Sequence, residues 1–192
     1  MSVREIVTVG DPVLRERARE VTAEELRSPE VQRLIDDMIE TKRAAAGAGL
    51  AANQVGETVR VAVVEVEPDN PRYPYKPPVQ LCVLVNPVLE PAGEATVEIN
   101  EGCLSVPDLR GTVDRYEAVR VRYLDREGAE HDEVRRGLTA GTFQHEVDHL
   151  DGVLFLDRVR DPTTFSTWEE FDRHHRDAFV AHAEELVARL GS

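Results

Sequence analysis

Two histidines four residues apart, His145 and His149, sit with Glu146 and Asp148 in the stretch QHEVDHLDG, residues 144–152. On a helix, positions i and i+4 share a face, so both imidazoles can point at one spot. Glu146 is turned by roughly 100° from His145 and can flank that spot without ligating it. This division of labour suits metal-assisted hydrolysis: two neutral imidazoles hold an ion, and the carboxylate handles the proton of an activated water. The competing reading is a solvated helix face that carries the pattern by chance.

A catalytic site of this kind commonly has three protein ligands and one open position. Downstream, His174, His175 and His182 and the acids Glu169, Glu170, Glu184 and Glu185 fall in an amphipathic tail, where they read as surface or helix-packing residues. Upstream, Cys103 in EGCLS (101–105) is the better candidate, because a thiolate binds divalent first-row metals strongly. Cys82, within the apolar run QLCVLV, reads as a small buried hydrophobe. One sulfur and two imidazoles suit several ions, so the donors alone do not choose the metal.

Elements must bring these residues together. Ser28 and Pro29 read as an N-cap and first helical residue; Val31, Leu34, Ile35, Met38 and Lys42 then recur at helical spacing, with Gly47 as the stop. TVRVAVVEVE, VQLCVLVNPVLEP, ATVEINEGCLSVP and AVRVRYLDREG are β-rich runs punctuated by Pro, Gly and Asn. Residues 67–79, EPDNPRYPYKPPV, predict an exposed proline-rich loop. LDREGAEHDEV predicts a hairpin turn at Gly128, and a helix over 138–150 carries the histidines. The tail repeats apolar residues at Trp168, Phe171, Ala178, Phe179, Leu186 and Leu190, which predicts one C-terminal helix laid against the body over about 163–192.

The 192 residues suffice for one domain with its own core, and the net charge of −14 argues against nucleic acid or an anionic membrane surface as partner. Two cysteines imply no disulfide framework, and the first residues carry charges of both signs rather than an apolar signal core, so a cytoplasmic protein is expected. Arginine supplies all but two of the 23 Lys and Arg residues, which reads as codon bias.

With GAGLAANQ (47–54), EGCLS (101–105) and QHEVDHLDG (144–152) in that order, the sequence resembles the peptide deformylases. The likeness extends through GDPVLRERA near the start and DGVLFLDRV after the histidines, about residues 3–160. It implies an α+β fold in which a central metal-binding helix is surrounded by antiparallel β-sheets, with an N-terminal and a C-terminal helix, over a single catalytic domain. It implies removal of the formyl group from N-terminal N-formylmethionine, releasing formate. The ligands it implies are Cys103, His145 and His149, and the ion is ferrous iron (Fe2+), with zinc, nickel or cobalt able to take its place. Glu146 matches the general acid/base; Gln54 and the backbone N–H of Leu104 match the oxyanion donors. Gly47, Ala48, Gly49, Gly102, Arg110, Leu138, Gly141 and Thr142 match positions around the bound peptide, and Glu101 and Arg115 match an ion pair that steadies the loop bearing Cys103. Asp148 reads as orienting or structural. N-formylmethionyl peptides are the implied partners, with a transient contact at the ribosome exit region that the acidic tail does little to favour. Ala48, Gly141 and Thr142 depart from the bulkier residues common there, so the methionine pocket is where this chain should differ. An endopeptidase with a downstream third ligand, or a peptide-binding module without catalysis, are the other readings; the first leaves EGCLS and GAGLAANQ unused, and the second predicts a missing catalytic residue.

Overall fold

Residues 2–68 and 70–192 are described by a computed structural model; Asp69, within the proline-rich loop, lies outside them. A first short helix, α1 (Ala23–Leu26), is closed by a reciprocal cap between Thr22 and Glu25. Helix α2 (Pro29–Ala44) starts where its cap predicts, with the Ser28 hydroxyl accepting from the Val31 N–H. It stops earlier than Gly47: Ala46 takes the left-handed conformation (φ 50°), and the Gly47 N–H bonds the Lys42 carbonyl. Gly47 is needed for a different reason, since a Cβ there would lie 2.9 Å from Leu104 Cδ1.

Two antiparallel sheets follow. Strands β1 (Gly49–Ala51), β2 (Val61–Val66), β3 (Val79–Pro91), β6 (Ala118–Leu124) and β7 (Glu130–Arg136) form the larger, ordered β1-β2-β3-β6-β7. Strands β4 (Thr96–Cys103), β5 (Val106–Tyr116) and β8 (Ser166–Thr167) form the smaller, ordered β4-β5-β8. All of β2 is buried, which explains its unbroken Val-rich run, whereas β4 and β6 largely alternate. Helix α3 (Gly137–Leu150) is buried on every side except at His145. It is therefore the core helix of the molecule rather than a surface one. Gln144 ties it to β5, accepting from the Tyr116 N–H at 3.1 Å and donating to the Tyr116 carbonyl at 3.0 Å. Among the described residues, no helix is long and apolar enough to cross a membrane.

Three expectations need correction. The tail is not one helix: β8 pairs with Leu109 and Arg110 of β5, then α4 (Trp168–His174) and α5 (Arg176–Leu190) follow with a break at His175. Phe171, Ala183 and Leu186 are its buried anchors, while Ala178 is exposed because the break shifts the helical phase. The proline-rich loop folds inward. Asn70 holds it as a local turn, its Oδ1 accepting from the N–H groups of Arg72 and Tyr73, and Tyr73 is buried. Cys82 is only half-buried on β3, within 3.8 Å of the Arg135 guanidinium.

Helix α2 is clamped to β2 by charge. Lys42, with 1% of its side chain exposed, donates to Glu65 at 2.7 Å, and Arg43 reaches the same carboxylate at 2.8 Å. Arg43, against the cost of burial and helped by Lys42, holds the Glu65 carboxyl down to about 2. Its folded pKa lies below that of the unfolded chain, so its contribution is fully present above about pH 5 and disappears as pH falls toward 2. Glu65→Gln should therefore be destabilised against wild type at pH 7, with the gap in urea midpoint closing toward pH 2.5. A gap independent of pH would show that the clamp does not act through charge.

Candidate functional site

The opening motif lies on the last two turns of α3, and β4 ends against it. The β4–β5 register shifts between Gly102, opposite Arg110, and Cys103, opposite Val106, and the Cys103 sulfur faces the helix, 3.2 Å from His149. His149 Nε2 is 3.2 Å from Cys103 Sγ and 3.2 Å from His145 Nε2. The ligand atoms of the three residues all lie within 4.8 Å of one another. Donors around a tetrahedral ion with bonds of about 2.0–2.3 Å sit roughly 3.3–3.8 Å apart, so the three residues fit a divalent metal. Cys103 and His145 also line the cavity described below. The chance-pattern reading fails, because a solvated face would not bury His149 completely.

The surroundings orient these donors. Glu101 Oε2 takes a hydrogen bond from His145 Nδ1 at 2.9 Å, which fixes the tautomer and leaves Nε2 as the ligating atom. Arg115 grips both oxygens of Glu101 at 2.8 Å and reaches Asp148 Oδ2 at 2.5 Å. Arg158 donates to both oxygens of Asp148, sharing Oδ2 with Arg115. Asp148 is thus a hub for two arginines and not a ligand, and Arg158 is a support that sequence reasoning missed. Gln54 sits in the 3-10 turn Ala52–Val55, its Oε1 accepting from the Ala51 N–H at 2.9 Å. That bond turns its amide N–H group toward Ser105 Oγ (3.1 Å) and Cys103 Sγ (3.5 Å).

Glu146 is 3% exposed, and its Oε2 has no partner among the described residues. A Cβ on Gly49 would lie 2.3 Å from Glu146 Oε1, so β1 offers bare backbone for the carboxylate to rest on. The glycine thus makes room for the Glu146 side chain. Burial pushes the Glu146 carboxyl up to about 7. The two imidazoles move in opposite directions. Burial and the neighbouring His145 hold His149 well below the usual range, whereas for His145 bonds to Cys103 and Glu101 outweigh burial and raise it. A dication at their centre would favour neutral imidazoles and a charged Glu146.

One cavity opens onto this cluster. Gly47, Ala48, Gly49, Gly102, Arg110, Leu138 and Thr142 line it, together with Gln54, Leu104 and Glu146. Gly141 lies one layer back: its missing side chain makes room for Ile99, whose Cδ1 would be 2.6 Å from a Cβ there, and Ile99 forms the wall instead. Arg110 is 1% exposed, bonded to Asn100 by Nε (2.7 Å) and Nη2 (2.9 Å) and packed between the rings of Trp168 and Phe171. Sequence reasoning missed the rest of the wall: Tyr73, Tyr75 and Lys76 from the inward-folded loop and Phe179 from α5. Only the aromatic residues between the prolines of RYPYKPP hinted at it. His174, His175 and His182 are exposed on or between α4 and α5, where they supply no ligand, which removes the endopeptidase reading.

Residues 3–165 match the family model of the polypeptide deformylases. A peptide deformylase of Heliobacterium modesticaldum is 47% identical over 160 residues, 83% of this chain and 95% of that protein. One from Leptospira biflexa is 41% identical over 172 residues, 90% of this chain and 96% of that protein. Among solved structures, the class I type b peptide deformylase of Acinetobacter baumannii bound to Met-Ala-Ser aligns with a TM-score of 0.79 and 41% identity, covering 83% of this chain and 100% of that one.

Proposed function

The chain belongs to the polypeptide deformylase family of metal-dependent hydrolases, and on that premise we propose that it hydrolyses the formyl amide of N-terminal N-formylmethionine on new polypeptides, giving formate and a free amine. The observation that carries this reading is the convergence of Cys103, His145 and His149 beside the unpartnered carboxylate of Glu146. The three residues would hold one divalent ion, ferrous iron in our assignment, although zinc, nickel and cobalt suit the same donors. When bound, the ion supplies Lewis acidity that acidifies water and polarises a carbonyl.

The protein's own groups do the rest. Glu146, which lines the cavity, accepts the proton of the attacking water and returns it to the leaving nitrogen, its Oε2 having no partner among the described residues. Charge develops on the formyl oxygen, and the Gln54 amide with the Leu104 N–H stabilises it there. The amide already presents N–H groups rather than its oxygen, because Ala51 fixes it. Gly47, Gly49 and Gly102 admit the peptide backbone, Leu138, Thr142 and Ala48 bound the methionine side chain, and Arg110 lies along the peptide. The reaction belongs in the cytoplasm, with N-formylmethionyl peptides as partners and a transient contact at the ribosome exit region.

Formate release from formyl-Met-Ala-Ser by anaerobically purified, iron- or nickel-loaded protein tests this. Turnover is expected in wild type, and Gln54→Ala should lower kcat about 10²–10³-fold while metal content holds. A metal-loaded wild type that releases no formate would sink the reading.

A further inference from the structure

Neither of the chain's two lysines lies on the open surface. Where arginine serves almost every exposed cationic position, a lysine retained inside marks a place that needs a compact ammonium. Lys42 is accounted for by the Glu65 clamp. Lys76 is not accounted for by the chemistry above, yet it lines the active-site cavity.

The inward turn at Asn70–Tyr73 aims Lys76 across the cavity at α3. Its Nζ donates to Thr142 Oγ1 at 2.8 Å and lies 4.9 Å from the centre of the Tyr73 ring. Thr142 spends its own proton on the Leu138 carbonyl at 3.2 Å, so its oxygen is free to accept from Lys76. An ammonium has three donors, and the bond to Thr142 is its one hydrogen bond among the described residues. The neighbouring wall is apolar, made by Ile99, Leu138, Tyr75 and Phe179. Burial pulls the lysine down to about 8, which still leaves it charged near neutral pH.

This is an unusual floor for a pocket that takes an unbranched, nearly apolar side chain. A hydrocarbon entering it strips water from the spare N–H groups and returns nothing, which is costly. A thioether sulfur is a weak acceptor and returns little. A sulfoxide oxygen is a strong one, and oxidation of methionine places it at the same position along the chain. Resting on the deformylase reading, we propose that Lys76 is a specificity-determining residue whose ammonium selects first-residue side chains bearing a hydrogen-bond acceptor. The enzyme thereby accepts N-formyl peptides that begin with methionine sulfoxide and discriminates against hydrocarbon analogues.

The test compares formyl-methionine sulfoxide-Ala-Ser with formyl-norleucine-Ala-Ser. The readout is the ratio of kcat/KM for the two peptides within each protein, so a general loss of activity cancels. In Lys76→Met that ratio should fall about ten- to a hundredfold relative to wild type, the value of a hydrogen bond to a charged group. An unchanged ratio overturns the proposal. Should Lys76→Met not accumulate folded, Lys76→Gln, which keeps a polar side chain but removes the ammonium, should lower the ratio in the same direction by less, and no change there is equally fatal. Dissociation constants for methionine sulfoxide-Ala-Ser and norleucine-Ala-Ser, measured by calorimetry, give the same comparison without turnover. Failure of wild type to deformylate even formyl-Met-Ala-Ser would count against the deformylase reading, while the calorimetric ratio would still decide the role of Lys76.

Discussion

Replacing Glu146 with glutamine is expected to lower kcat by about 10²–10⁴-fold while the protein keeps its fold and its metal. The carboxylate is buried, one oxygen rests on the Gly49 backbone, and the other has no partner among the described residues. The amide has nearly the same shape, so packing against β1 survives. It cannot accept a proton from water or return one to the leaving nitrogen. Because Cys103, His145 and His149 do not need Glu146 to converge, metal content should match wild type. Rates with formyl-Met-Ala-Ser, read beside elemental analysis, decide the matter. A variant within threefold of wild type at full metal occupancy would assign the proton transfers to another group.

That residue was legible in the sequence because its chemistry is local. The helical phase of QHEVDHLDG alone separates Glu146 from the two imidazoles, and α3 has that phase. Cys103 could be preferred on donor chemistry, but the register shift beside it depends on strand pairing that no short stretch encodes. The same limit explains the misreadings. Periodicity in the tail suggested one helix, since pairing of Ser166 and Thr167 with Leu109 and Arg110 is long-range, as is the packing that exposes Ala178. Prolines between 67 and 79 correctly excluded a central strand. They could not show that Asn70 would curl the loop inward and place Tyr73 and Lys76 on the cavity wall. Arg158 reads as any surface arginine until Asp148 is found beside it.

The largest effect on stability is expected at Arg115, where replacement by leucine should cost about 3–5 kcal/mol. The side chain is 2% exposed and stands between two carboxylates that it neutralises. Asp148 would keep Arg158, but Glu101 would keep only His145. Burial opposes the charge on Glu101, and Arg115 is what holds that carboxyl below its usual range. Without the cation, Glu101 must take up a proton or hold His145 as an imidazolium. A protonated Glu101 orients the ring poorly, and an imidazolium cannot ligate. Metal affinity should therefore fall by a further 10–100-fold, beyond what reduced stability imposes. Urea denaturation of the apo-protein measures the first effect, and chelator competition in the folded range measures the second. Arg158→Ala, which removes a half-exposed partner and leaves Arg115 in place, should lower both by much less. If Arg115→Leu loses stability while its metal dissociation constant stays at the wild-type value, the arginine braces the β5–α3 junction and has no part in setting the ligand.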